Sequence, residues 1–183
     1  MAFHLKPDEP IAAGLRRIVR TELRFAIDQL DAVEPSDEAI HEARKSIKKV
    51  RAVLKLCGGM RAARRVPRSL RRAAHLLAPV RDADAVIVTL CDLTTDQPGA
   101  LSTKAAASLR EQLLQDKATI AAVARRDRVA NRAAKVLRGV RRSTAKWEWT
   151  SVGVSELTVT VRRTYKRARK SMRTARRDGR ADA

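Results

Sequence analysis

The stretch Ile40-His41-Glu42-Ala43-Arg44-Lys45-Ser46-Ile47-Lys48-Lys49-Val50-Arg51-Ala52-Val53-Leu54-Lys55-Leu56-Cys57 carries two interleaved stripes. One is apolar: Ile40, Ala43, Ile47, Val50, Leu54 and Cys57. The other is basic: His41, Arg44, Lys48, Arg51 and Lys55. Both advance by alternating steps of three and four, the period of an α-helix rather than a strand. Their one-residue offset turns the basic row about 100° away from the apolar seam. The segment is therefore a helix that packs along one side and presents cations beside the packed edge. At 1.5 Å per residue the row from His41 to Lys55 is roughly 21 Å long, with a cationic group about every 5 Å. That spacing suits an extended anion with repeated charges.

The residue types sharpen this reading. Arg offers a planar fork for two phosphate oxygens, Lys a mobile point charge, and His41 a donor that gains charge as pH falls. A merely solvated helix face interleaves acids for i,i+4 pairing, whereas this helix sets Glu42 alone against Arg44, Lys45, Lys48, Lys49, Arg51 and Lys55.

Outward from this helix, composition points the same way. Of the 183 residues, 44% are hydrophobic, enough for a core, and only 3% are aromatic, so the usual strand formers are scarce. We expect an all-α fold, an antiparallel bundle of about six helices. The first runs from Pro10 to about Ala32, with Leu15, Ile18, Val19, Phe25, Ala26 and Leu30 on its apolar face. The second ends at Cys57 before Gly58-Gly59. The third follows Pro67, is kinked or divided at Pro79 and ends near Asp92, before the turn-rich Thr94–Gly99. Two more helices cover about 100–126 and 128–146. Trp147–Gly153 forms an ordered loop whose two tryptophans cover a bundle end, and a last helix covers about Ser155–Arg177. Cys57 and Cys91 lack metal-ligand spacing and read as small core residues in a reducing compartment. No stretch is apolar enough to span a bilayer and no leader opens the chain, so the expectation is a soluble, cytoplasmic protein.

The charge is placed by segment. Forty Lys and Arg oppose twenty Asp and Glu, a net of +20, yet residues 1–40 hold five bases to eight acids and 82–120 three to six. Residues 41–81 hold thirteen bases to one acid and 121–146 nine to one. Such a chain attracts polyanions. The last helix repeats the pattern of the second: Arg162, Arg163, Lys166, Arg169, Lys170, Arg173 and Arg177 flank Leu157, Val161, Tyr165, Ala168 and Met172. A third row comprises Arg61, Arg65, Arg68, Arg72 and His75. Beyond it, Asp82 and Asp84 are expected to pair with bases on a neighbouring helix. A short internal repeat relates Leu15-Arg16-Arg17 to Val161-Arg162-Arg163 at an offset of 146 residues.

Three of these motifs together resemble the conserved histidine α-helical domain (CHAD) family. They are Ile40-His41-Glu42-Ala43-Arg44-Lys45, Leu77-Ala78-Pro79-Val80-Arg81-Asp82-Ala83-Asp84, and Val161-Arg162-Arg163-Thr164-Tyr165-Lys166-Arg167-Ala168-Arg169-Lys170. The resemblance implies two helical bundles related by a pseudo-two-fold axis, with basic faces meeting in a groove that binds inorganic polyphosphate. It also implies association with polyphosphate granules. The residues it places at the ligand are His41, Arg44, Lys48, Arg51, Arg81 with Asp82 beside it, Arg162, Arg163, Lys166 and Arg169; Lys45, Lys55, Lys170 and Arg173, on the same basic helices, complete the expected binding site. The family's second half carries its own His-x-x-Arg helix, which the 146-residue offset would place near position 187. Ala168 also stands where the family has a glycine. The expected organisation is thus a first bundle over 1–146, a loop over 147–153, a basic helix over 154–178 opening an incomplete second half, and a frayed tail over 179–183. A second protomer is expected to complete the groove.

Catalysis is not expected, nor is a metal or other cofactor. The chain has no P-loop, no clustered metal ligands, no triad partners for its Ser and His residues, and no Glu-x-Glu-x-Lys run. Nucleic-acid binding by backbone electrostatics is the alternative, against which stand the unclustered Phe3, Phe25, Trp147, Trp149 and Tyr165. Docking to acidic proteins is a third reading. Membrane attachment is disfavoured because basic helices that spend their apolar faces on a core have none left for lipid.

Overall fold

The computed structural model describes residues 3–57, 66–97 and 99–179. Over these it is all-helical, with seven α-helices and a short 3-10 turn: α1 (Ile11–Leu30), α2 (Asp37–Leu56), α3 (Val66–Leu76), α4 (Ala78–Asp96), α5 (Thr103–Arg126), α6 (Val129–Ala145), the turn Trp149–Ser151, and α7 (Val154–Asp178). Gly58-Gly59, Arg61, Arg65 and the tail 180–183 lie outside the described residues.

Helix α2 starts where Ser36 Oγ accepts the Ala39 N–H at 3.1 Å, with Asp37 and Glu38 in the first turn and Lys55 in the last, an arrangement that complements the helix dipole. Its six apolar positions, from Ile40 to Cys57, are all buried, as the 3,4 spacing requires. Helices α1, α2, α3 and α6 make the body: α1 packs on α2 and α6, and α3 packs on α6 and α2. Leu23, Leu30, Ile47, Val50, Leu70, Leu77, Ala133, Ala134 and Leu137 are fully enclosed between them. Burial of each large aliphatic side chain stabilises this body by roughly 1.5–3 kcal/mol.

The long third helix of the sequence reading is divided, which raises the six expected helices to seven. Pro79 cannot donate to a helical ladder, and the chain bends at Leu77, which stays in the core as α3 ends and α4 begins. Helix α4 also runs beyond Asp92 to Asp96. Thr94 and Thr95 continue it by bonding their hydroxyls back to the carbonyls of Leu90 and Cys91. The turn itself follows at Gly99, whose φ of 96° suits a residue without a Cβ.

Helices α4 and α5 pack on each other as an antiparallel hairpin that touches the body at its base. Helix α5 has no buried residue and α4 only Val80 and Leu90. Cys91, one position round from Leu90, is therefore exposed rather than a core residue. Cys57 is buried, and burial pushes its thiol up to about 11. Trp149 closes one end of the bundle. It is 4% exposed, donates its Nε1–H to the Thr144 carbonyl at 3.1 Å and lies 5.5 Å from the Trp147 ring.

Helix α7 departs from expectation. It touches α2, and Leu157 rests on the core, but it has no buried residue. Val161 is 52% exposed, Tyr165 62% and Met172 50%. Among the described residues, the seam that sequence periodicity marks as a packing face is exposed at Val161, Tyr165 and Met172.

Candidate functional site

The basic row on α2 divides into two parts. At its N-terminal end, where α3 and α4 come close, the cations are held by protein groups. Arg44 donates from Nη1 to the Ala74 carbonyl at 2.8 Å and stands 3.8 Å from Asp82. His41 accepts at Nδ1 from Arg81 Nε at 2.9 Å. An accepting nitrogen carries no proton, so in this arrangement the ring's own N–H is at Nε2. His41 thus keeps Nε2–H as its donor, while Nδ1 is occupied by Arg81.

Arg81 in turn reaches Asp84 at 2.9 Å, and Asp84 is shared with Lys117 of α5 at 3.0 Å. Lys117 also meets Asp37 at the start of α2, at 2.6 Å. Asp37 first and Asp84 second push the Lys117 ammonium up from its ordinary value. As expected, Asp82 and Asp84 pair across helices. The network ties the first turns of α2 and α4 to α5 and fixes the direction of Arg81 and His41. Sequence reasoning missed Lys117. One of only three bases in the acid-rich 82–120 stretch, it carried no sequence signal that would bring it near Asp37. The buried Glu22, which accepts from Ser46 at 2.6 Å and Lys49 at 3.0 Å, was missed too, although it stands inside the apolar stripe of α1.

At the C-terminal end of the row, Lys48, Arg51 and Lys55 are exposed and pair with no acid among the described residues. Lys45 leans instead on Glu42 at 2.6 Å, which raises the Lys45 ammonium and lowers the Glu42 carboxyl.

Helix α7 supplies a second face whose bases at 162–173 pair with no acid among the described residues. Arg162, Arg163, Lys166, Arg169, Lys170 and Arg173 are all exposed, and Arg169 lies 5.9 Å from the Tyr165 ring, in cation–π range. The acids of α7 sit at its ends: Glu156 caps the N-terminus by accepting the Gly153 N–H at 3.0 Å, and Asp178 pairs with Arg177. Because α7 touches α2, the two bare rows belong to neighbouring helices. Of the third row, Arg68, Arg72 and His75 are exposed on α3.

The site is therefore a keyed corner of His41, Arg44 and Arg81 beside two acid-free rows. Among the described residues no group of three His, Cys, Asp or Glu side chains is placed to hold a metal ion, and no helix is long and apolar enough to cross a membrane. A corner of this make-up can grip anions through oriented donors; the rows can follow a longer charged chain.

A model of one family, the CHAD domain, matches residues 21–183. The chain belongs to the CHAD-domain family. No curated protein and no solved structure matches it.

Proposed function

We propose that this protein is a non-catalytic polyanion-binding module whose ligand is inorganic polyphosphate. The ligand lies along Lys48, Arg51 and Lys55 of α2 and the arginine and lysine face of α7, with His41, Arg44 and Arg81 as the oriented end of the site. The carrying observation is the contrast within the α2 row: His41 and Arg44 are engaged by Arg81, Asp82 and the Ala74 carbonyl, while Lys48, Arg51 and Lys55 face solvent with no acid partner among the described residues. Cations held close together repel one another, and a chain of phosphates relieves that repulsion at regular intervals. Membership of the CHAD family supports polyphosphate as the particular anion. Against single-stranded nucleic acid stands the scatter of the aromatic rings among the described residues: Trp149 is buried and bonded, while Phe3 lies under Lys49 and Tyr165 under Arg169.

The exposed seam of α7 supports reading that helix as the opening of a second bundle, the organisation the family resemblance implies. Association with polyphosphate granules belongs to the same proposal.

Competition at about 150 mM salt tests the choice of ligand. Labelled long-chain polyphosphate bound to the protein is challenged with duplex DNA and single-stranded RNA at equal phosphate concentration. Retention of the label against both is the expected result. Equal displacement by all three would reduce the protein to a general polyanion binder.

A further inference from the structure

On a different face, α1 and α6 enclose a cleft of about 580 Å³ that shares no residue with the site above. One wall carries Arg16, Arg20 and Arg24, four residues apart and so in line along α1, with a rise of about 6 Å between successive ones. The other carries Arg141 and Arg142 of α6. The single acid in the lining is Asp28, which stands 3.7 Å from Arg24.

The pairing of arginines on these two helices is selective. Arg17 of α1 is clamped by Glu9, and Arg138 of α6 by Asp31, and neither lines the cleft. Arg16, Arg20, Arg141 and Arg142 have no acid and no hydrogen-bond acceptor among the described residues, although they converge on one cleft. Their like charges raise the energy of the empty cleft, and an anion that fills it removes that cost. Behind them the wall is rigid: Trp149 and Thr144 are buried, and the indole N–H is tied to the Thr144 carbonyl.

We propose that this cleft is a second anion site, for a compact molecule carrying two or three phosphates gripped from both sides by arginine forks. Volume and charge together set the class. A single phosphate would leave most of five guanidiniums unsatisfied, and the facing arginine walls suit phosphates held close together rather than a long chain passing through. Arginine in place of lysine at all five basic positions fits two-point recognition of phosphate oxygens.

The probe is tripolyphosphate at about 150 mM salt, read by indole fluorescence in a Trp147→Phe background so that Trp149 is the sole tryptophan. The expected result is a saturable change that Arg20→Ala/Arg141→Ala weakens at least tenfold and Arg20→Lys/Arg141→Lys several-fold. Lysine variants that bind like the parent would mean bulk charge alone and overturn the proposal. So would calorimetric binding that survives the alanine pair unchanged. All four substitutions lie at exposed positions whose side chains have no partner among the described residues, and circular dichroism checks the helical fold in each variant. Long-chain polyphosphate binding along α2 is measured in parallel. Its retention by the alanine pair keeps failure of this cleft distinct from failure of the function proposed above.

Discussion

His41 and Arg44 occupy the same helical stripe as Lys48 and Arg51, yet the two pairs have different surroundings. The stripe and its register were legible from spacing alone, because a 3,4 repeat fixes which residues share a face. Which bases would be spent on protein groups was not legible, because Ala74, Arg81 and Asp82 reach α2 only through tertiary packing. Other single residues report on local physics. Arg128, between α5 and α6, has φ 49°, the one positive φ among described non-glycine residues. A Cβ in that region costs about 1 kcal/mol, so Arg128→Gly is expected to raise unfolding stability by up to that amount in urea titration. Glu9 bonds to Arg17, first of all, and to the Lys6 N–H, and its carboxyl is lowered to about 2. A depressed carboxyl stabilises the folded state above its ordinary value of 4.5, and that contribution is lost as pH falls through about 2. The carboxyl resonance of Glu9 is expected to titrate near 2 in the parent and to move up toward 4.5 in Arg17→Ala, where the Lys6 N–H bond remains.

At the scale of elements, α1 and α7 make the instructive pair. Leu15-Arg16-Arg17 and Val161-Arg162-Arg163 read alike, but Leu15 is 3% exposed and Val161 52%. An apolar stripe marks a face able to pack and does not supply the partner: α1 has α2 and α6 on its two sides, whereas α7 touches α2 and, among the described residues, sets only Leu157 against the core. The helix boundaries were otherwise legible to within a few residues. The exceptions were Thr94–Asp96, where threonine hydroxyls extend α4, and Cys91, whose burial required knowing that α4 packs on one helix alone. The seam of α7 also gives the expected second copy a definite surface. If a second protomer covers it, sedimentation at micromolar concentration gives a dimer that Tyr165→Glu/Met172→Glu splits into monomers. A monomeric parent with full polyphosphate affinity contradicts that arrangement.

Over the whole molecule, a charge of +20 ensures attraction to any polyanion, so affinity alone says little about a built site. A built site requires that the position of the charges matter more than their number. The helical body supplies position: it locks α2 by burying Ile40 to Cys57 and leaves Lys48, Arg51 and Lys55 on a fixed row. Lys104 and Arg110 offer the matching control, two exposed bases on the α4–α5 hairpin with no acid partner among the described residues. The most direct measurement compares long-chain polyphosphate affinity for Lys48→Ala/Arg51→Ala and Lys104→Ala/Arg110→Ala at about 150 mM salt. At more than about 1 kcal/mol per charged contact, the α2 pair is expected to lose at least about 2 kcal/mol, roughly thirtyfold, and the hairpin pair severalfold less. Equal losses from the two pairs would contradict the account and leave only net charge as the basis of binding.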